Sequence, residues 1–322
     1  MKKLFAAAIV VALGFVIFVT PALSWEKGTH LYIADKLKRQ GGLMNPQNLD
    51  EMYGAMAPDI FNYVFEIPAG VYDYLYDETH HQFINIWKAV KWGYEKPLAF
   101  GFVSHNDSWG ADYTAHHRAR TTGLMEGYVI TKAGYLNLGL ASYWAYIEAS
   151  TGPLDATIKL DLCHNIVEAA GDIILKRSYP QLGRNLVAAG SRLDARFKKL
   201  FLKAYLPGLT AVMGAENAAQ NLILLGEAAF RQYQVVAYGQ ILQQDEAIVI
   251  DQIAAQFNLL VGGYLLSKGI TLPEGTDLTL VIVAALQGAI ALCENDYMIE
   301  VNATVAYVKG QLKARRFWAS TR

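Results

Sequence analysis

Residues 154–177, LDATIKLDLCHNIVEAAGDIILKR, carry the pattern that decides the fold. Ile158, Leu162, Ile166 and Ile173 recur at helical spacing, so one apolar face runs along the whole segment. The same spacing predicts seven more helical segments, at 28–39, 98–118, 124–149, 181–204, 216–243, 245–268 and 277–313. Turn residues such as Gly152-Pro153 and Leu206-Pro207 fall between these segments. The sequence therefore predicts one all-α domain.

Two stretches depart from this amphipathic pattern. The run Leu278–Cys293 is almost wholly apolar but short for a membrane span, which predicts a central buried helix. Residues 53–84 are rich in Tyr and Phe and are interrupted by Pro58, Pro68 and Gly70. They are expected to form a long aromatic loop or a short hairpin, and long ordered loops are often functional. The aromatic residues of this stretch are Tyr63, Phe65, Tyr72, Tyr74 and Tyr76.

Composition excludes several classes of protein. The chain has 322 residues, of which 53% are hydrophobic and 18% charged, so it is not a disordered polyelectrolyte. Its net charge of −1 excludes a strongly basic nucleic-acid binder. Two cysteines cannot form a disulfide framework or a four-thiolate zinc site. Cys163 and Cys293 are expected either to pair or, more in keeping with a helical position, to be buried small residues.

The first 24 residues have the pattern of a signal peptide. Lys2 and Lys3 precede an apolar stretch from Leu4 to Val19, and small residues follow up to Ser24. We expect cleavage near Ser24/Trp25 and export to the periplasm or the medium. An uncleaved membrane anchor is the alternative, because the apolar stretch is long for a signal peptide. The expected division of the chain is 1–24 signal peptide, 25–180 helical region with the candidate ligands, and 181–322 C-terminal helical region of unknown role.

All seven histidines lie between positions 30 and 164, and most stand near a carboxylate. In the stretch 104–117, His105, Asp112 and His116 lie within about 20° of one line on an α-helix. Seven residues of helix span roughly 10 Å, so one ion cannot contact both His105 and Asp112 on an unbroken helix. Either two ions bind there or Gly110 interrupts the helix.

A second set of candidate ligands lies in residues 154–177. His164 and Glu168 are four residues apart and face the same way, which suits chelation of one ion. Asp161 and Asp172 extend this line and are expected to orient the ligands. Imidazole nitrogens together with carboxylate oxygens favour a divalent metal such as zinc.

Taken in order, these residues resemble the zinc-dependent phospholipase C family, which shares its all-helical fold with P1/S1-type nucleases. The resemblance covers residues 25 to about 170 and is nearer the branch that includes glycosylphosphatidylinositol-specific phospholipase. It rests on Trp25, Gly-Thr-His30, Pro-Asp59, Thr-His80, Ser-His105, Ala-Asp112, His116, His164 and Glu168. Residues 106–110 look like an insertion relative to that family. His81 and His117 are open alternatives to His80 and His116.

The resemblance implies two to three zinc ions, most simply three. One would be held by Asp59, His80, His105 and Asp112, a second by His116, His164 and Glu168, and a third by Trp25 and His30, with Asp112 as a bridge. It implies a phosphoric diester hydrolase, since zinc lowers the pKa of a bound water from ~15.7 toward ~7 and the resulting hydroxide attacks phosphorus. Asp59 is the candidate general base.

The expected substrate is a phospholipid, with peripheral membrane contact, because near-neutral charge makes nucleic acid a weaker candidate. The alternatives are a P1/S1-like nuclease and a non-catalytic, membrane-associated, metal-binding helical protein.

Overall fold

Helix α9 (Ala156–Ser178) lies at the centre of the molecule and is formed by nearly all of the predicted helical segment 154–177. Fifteen of its 23 residues are buried. It begins at Asp155, whose side chain accepts a hydrogen bond from the amide of Thr157, and its last turn carries Lys176 and Arg177. Helices from both halves of the chain pack around it. The stretch from Leu162 to Leu175 is continuously buried, so His164 and Glu168 lie inside the protein.

The computed structural model describes residues 26–37, 46–63, 67–192 and 195–317, and all regular structure in these ranges is helical. The all-α prediction is therefore confirmed at the level of fold class. The α-helices other than α9 are α1 (Lys27–Leu37), α2 (Pro46–Met56), α3 (Ala69–Tyr76), α4 (Ile84–Ala89), α5 (Lys96–His105), α6 (Ala111–His116), α7 (Tyr128–Gly139), α8 (Ala141–Thr151), α10 (Leu182–Ser191), α11 (Ala195–Met213), α12 (Glu216–Ala229), α13 (Tyr238–Ile241), α14 (Glu246–Ser267), α15 (Thr279–Cys293) and α16 (Tyr297–Ala314). Short 3₁₀ segments occur at Ala57–Tyr63 and Gly93–Glu95, and π-helical turns at Asp77–His81 and Phe230–Ala237.

Helices α2 and α5 cross closely because each has a glycine at the contact. A Cβ atom on Gly54 would lie 2.1 Å from the carbonyl oxygen of Leu98, and one on Gly101 would lie 2.0 Å from that of Glu51. The two backbones therefore touch where a larger residue would hold them apart. This approach brings the C-terminal end of α2 to His105, the last residue of α5.

The predicted aromatic loop at 53–84 is wrong, because the described part of this stretch is mostly helical. Pro58 lies at the second position of the 3₁₀ segment and Pro68 immediately precedes α3. At a helix start the missing proline amide has no intrahelical partner to lose, so neither proline interrupts a helix. Phe65 falls in residues 64–66, which lie outside the described residues.

Several predicted helices are shorter than expected. The segment 98–118 ends at His105 and resumes at Ala111, so the interruption that the spacing argument allowed is present. The segments 124–149, 181–204 and 277–313 each divide into two helices. The turn predicted at Leu206-Pro207 is wrong, because Pro207 lies inside α11. That helix continues past the proline because Tyr205 and Leu209 are both buried in the core.

The prediction of a central buried helix at 278–293 is also wrong. Helix α15 buries one face through Ile282, Leu286 and Ile290, while Leu280 is 83% exposed. The apolar composition of α15 therefore does not mean that the helix is buried on all sides. The helix at the centre of the molecule is α9. Helix α14 is long and apolar enough to cross a membrane by composition, but core helices of soluble proteins meet the same criterion.

The C-terminal helices pack against the helices that carry the candidate ligands. The hydroxyl groups of Thr304 and Thr114 lie 2.8 Å apart, and Tyr264 donates a 2.6 Å hydrogen bond to Asp161. Asp161 therefore joins α9 to α14. Cys163 and Cys293 are both buried free thiols, so the disulfide alternative is not observed.

Candidate metal centre

Six segments bring the candidate ligands together in two neighbouring buried groups. In the first, His30 comes from α1, Asp59 from the 3₁₀ segment after α2, His80 from the π-helical turn, His105 from the end of α5 and Asp112 from the start of α6. In the second, His116 ends α6, and His164 and Glu168 come from α9. Three sets of donor atoms each lie within 4.8 Å of one another: His30 with Asp59 and His105, His80 with His105 and Asp112, and His116 with His164 and Glu168.

Asp112 lies at the centre of the first group. Its Oδ1 atom is 3.1 Å from His30 Nε2, and its Oδ2 atom is 2.9 Å from His105 Nε2 and 3.7 Å from His80 Nε2. Asp59 Oδ1 lies 3.4 Å from His80 Nε2 and 3.7 Å from His105 Nε2. Donors around a tetrahedral zinc ion with bonds of about 2.0–2.1 Å are about 3.3 Å apart, so these separations suit shared coordination.

Neighbouring backbone and hydroxyl groups fix the orientation of two imidazoles. His105 Nδ1 lies 2.8 Å from the carbonyl oxygen of Ala55, to which it donates, so Nε2 is directed to Asp112. Thr79 donates its hydroxyl proton to the carbonyl of Leu75 at 2.9 Å and therefore accepts from His80 Nδ1 at 2.8 Å. Each ring thus directs its Nε2 atom into the group, and a metal binds a ring nitrogen in its deprotonated form.

In the second group, every side-chain nitrogen and oxygen of the three ligands except Nδ1 of His116 lacks a hydrogen-bond partner. His164 Nε2 lies 3.2 Å from Glu168 Oε1, and the rings of His116 and His164 have centroids 5.2 Å apart. Buried atoms without a hydrogen-bond partner are both nitrogens of His164, both oxygens of Glu168 and Nε2 of His116, and in the first group His105 Nε2 and both oxygens of Asp112. Leaving such atoms unsatisfied is costly, and a cation between them would satisfy several at once. The donor set therefore fits a metal ion.

The electrostatics of the two groups differ. Burial favours the neutral form of Asp112, but the charge of nearby His105 outweighs that effect and holds the pKa of Asp112 well below its ordinary value. Burial lowers the pKa of His105, but the negative charges of Asp112 and Asp59 outweigh this effect and raise the pKa to about 9. At His164 and Glu168 of the second group burial dominates, lowering the pKa of His164 and raising that of Glu168, which also lies near Glu26. At His116 the contact with Asp107 outweighs burial, and the pKa is raised. A bound divalent cation would reverse the preference of Glu168 for its neutral form.

The paired histidines separate clearly in the structure. His80 is fully buried in the first group, whereas His81 is about half exposed and contacts Asp77 at 3.1 Å. His116 lies in the second group, whereas the His117 side chain is 52% exposed. The structure therefore brings His80 and His116 to the site and leaves their neighbours on its rim. Trp25 lies outside the described residues, so its predicted role remains a prediction.

Of the two predicted orienting carboxylates, only Asp172 acts near the ligands. Its oxygens accept hydrogen bonds of 2.8 Å from the amide of Gly28 and from the hydroxyl of Thr29. Asp172 therefore fixes the first turn of α1, which carries His30. Asp161 instead accepts from Tyr264, so its predicted role toward the ligands is wrong.

Asp107 is a polar residue of the site that sequence reasoning missed. Its carboxylate lies 3.3 Å from His116 Nδ1 and 3.0 Å from His117 Nε2. It belongs to the five residues 106–110 that resembled an insertion, and helical periodicity does not connect it to His116 across Gly110. The sequence offered one signal for this role, which is the position of Asp107 between His105 and His116.

A cleft lies between α9 and the C-terminal half, and none of the eight candidate ligands lines it. Its walls include Leu162 and Asn165 of α9, Phe257 of α14, and the ion pair of Glu26 with Lys27. The C-terminal helices thus form one side of this cleft, and Asn165 on the other side follows His164 in the sequence.

Comparison with protein-family models, with curated proteins and with solved structures finds no match to this chain in any of the three.

Proposed function

We propose that this protein is a zinc-dependent phosphodiester hydrolase of the phospholipase C type. The observation that supports the proposal most directly is the meeting of eight candidate ligands from six segments, with donor atoms close together and many of them not hydrogen-bonded. Ordinary buried polar groups are paired with each other, so this arrangement is unusual for a core without a ligand.

The candidate ligands would bind metal in both groups of such a site. His30, Asp59, His80, His105 and Asp112 would hold metal in the first group, and His116, His164 and Glu168 in the second. Zinc held there would supply Lewis-acid activation of water and of a phosphoryl oxygen. Burial of these side chains keeps bulk water away and strengthens their electrostatic interactions.

Asp59 is the candidate to accept a proton from the attacking water. Burial favours its neutral form, but the neighbouring His105 and His80 outweigh that effect and lower the pKa of Asp59. Asp59 is therefore ionised. The side-chain amide of Asn62 donates a 2.8 Å hydrogen bond that orients its carboxylate. An ionised, oriented carboxylate can act as a general base or as a ligand.

A phospholipid is the substrate that we propose. The net charge of −1 does not favour a long polyanion, and the cleft between α9 and α14 is lined in part by apolar residues such as Leu162 and Phe257. Tyr76, which stacks on His80 at 4.2 Å, adds an aromatic surface beside the first group. Export after cleavage near Ser24 and peripheral contact with a membrane are part of this proposal.

Metal analysis joined to an activity assay tests the proposal. Purified protein should contain two to three zinc ions per chain, lose phosphodiesterase activity on chelation and regain it when zinc is returned. Well under one ion per chain would contradict the proposal. Release of phosphocholine from phosphatidylcholine micelles, compared with cleavage of single-stranded DNA, distinguishes a phospholipase from a nuclease.

Adjacent histidines provide a matched pair of variants. His80→Ala should abolish activity, whereas His81→Ala should retain it, because only His80 reaches the first group. Asp112→Ala and His164→Ala should also abolish activity while helicity measured by circular dichroism stays largely intact. Full activity in either of these two variants would refute the assignment.

A further inference from the structure

The five residues between α5 and α6 form a tightly determined loop. Asn106 is fully buried; its side chain accepts hydrogen bonds from the amides of Ser108 and Trp109 at 3.0 and 2.9 Å and donates to Val103 at 2.7 Å. A Cβ atom on Gly110 would lie 2.2 Å from the carbonyl oxygen of His105, so the chain turns where only glycine fits. The positions of the three residues between Asn106 and Gly110 are therefore fixed by the backbone.

One of these three residues, Asp107, contacts both ligand groups. Its amide donates a 3.2 Å hydrogen bond to the carbonyl oxygen of His80, which belongs to the first group. Its carboxylate lies 3.3 Å from Nδ1 of His116, which belongs to the second group. His117 Nε2 at 3.0 Å and His81 Nε2 at 3.7 Å complete its surroundings on the solvent side.

We propose that Asp107 is the positioning residue of the second metal group, which orients His116 so that its Nε2 atom faces His164 and Glu168. A ring nitrogen that donates to a carboxylate fixes the tautomer, and the opposite nitrogen then carries the lone pair. In agreement, Nε2 of His116 is buried and has no hydrogen-bond partner. The loop 106–110 thus supplies the carboxylate that orients a ligand of the second group. Its backbone is hydrogen-bonded to His80 of the first group.

This inference rests on the metal centre of the proposed function but not on its substrate. Loss of a partner that orients a metal-binding histidine typically weakens metal affinity by about 10–100-fold. Asparagine keeps the size of the side chain and one acceptor oxygen, so Asp107→Asn should lie near the lower end of that range. Asp107→Ala removes the acceptor and should lie near the upper end.

The test is zinc binding by metal-free protein in competition with a chromophoric chelator, for the full chain and its variants. One zinc equivalent should bind about 10–100-fold more weakly in the two Asp107 variants, with the others unchanged. Asp77→Asn is the matched control, because Asp77 also contacts a rim histidine, His81, at 3.1 Å but does not reach His116. Circular dichroism of the metal-free variants should match that of the parent protein.

Two results would overturn the inference. One is Asp107→Ala binding every zinc ion as tightly as the parent protein; the other is Asp77→Asn losing as much affinity as Asp107→Asn, which would indicate a general effect of rim charge. Zinc binding with no phosphodiesterase activity would contradict the proposed function and leave this inference intact. A parent protein that binds no zinc would overturn both.

Discussion

Replacing Glu168 by glutamine should stabilise the metal-free protein and reduce the stabilisation that zinc provides. Both carboxylate oxygens of Glu168 are buried without a hydrogen-bond partner, and Oε1 lies 3.2 Å from His164 Nε2. Glutamine has nearly the same shape but carries no ionisable proton and no charge. The substitution therefore separates the cost of burying this carboxyl group from its value as a ligand.

Without metal the variant should be the more stable protein at pH 7. Burial, followed by the nearby charge of Glu26, raises the pKa of Glu168 well above its ordinary 4.5. Between the two pKa values the folded state holds a proton that the unfolded state has lost, so stability falls as pH rises through that interval. Each unit of raised pKa costs about 1.4 kcal/mol. Glutamine does not carry this cost, and the advantage of the variant should disappear near pH 4.

Zinc should stabilise the variant less than the parent protein. An ion at a concentration one hundred times its dissociation constant stabilises the folded state by about 2.7 kcal/mol per site. The variant lacks one ligand of the second group and loses much of that stabilisation. At about 2–4 °C per kcal/mol, this loss corresponds to roughly 5–10 °C in Tm.

Thermal unfolding followed by circular dichroism, in chelator and in a fixed excess of zinc, measures both effects. Glu227→Gln is the control, because Glu227 is equally buried but accepts hydrogen bonds from Tyr53 at 3.0 Å and Arg231 at 2.9 Å. Its substitution should lower Tm in both conditions. If Glu168→Gln also lowered Tm in chelator at pH 7, the account of Glu168 as an unpaired buried carboxyl group would be refuted.

Two further predictions concern packing and thiols. A Cβ atom on Gly28 would lie 2.4 Å from Asp172 Oδ2, so Gly28→Ala should lower the free energy of unfolding by about 1–3 kcal/mol and weaken zinc binding through His30, as calorimetry and metal titration would show. Gly134→Ala meets no atom within 4 Å and should instead stabilise the protein by up to about 1 kcal/mol. Burial raises the pKa of the Cys163 thiol to about 12, so this residue should react with a thiol reagent only after denaturation; rapid reaction of the folded protein would contradict its buried position.

Helical periodicity predicted the class of the fold but not the ends of its helices. The break after His105 depends on the buried side chain of Asn106, which replaces the helical hydrogen bonds with its own. The continuation of α11 through Pro207 depends on the packing of Tyr205 and Leu209. Both effects are tertiary, since local propensity alone would place the boundaries elsewhere.

The candidate site was partly visible in the sequence for a chemical reason. The chain has only seven histidines, so their association with carboxylates at positions such as 112, 164 and 168 stands out against apolar helices. The choice between His80 and His81 was not visible, because adjacent residues of one type give the same local signal. Only the direction of each side chain relative to the core separates the two.

By itself the sequence determined that the chain is helical and which side-chain types were available to bind a metal, because periodicity and composition are local properties. Only the tertiary structure decided which donors meet, that Asp107 reaches His116 from a loop, and that Asp172 holds α1 in place. Those contacts join residues far apart in the chain, at distances set by how the helices pack, and no local pattern encodes them.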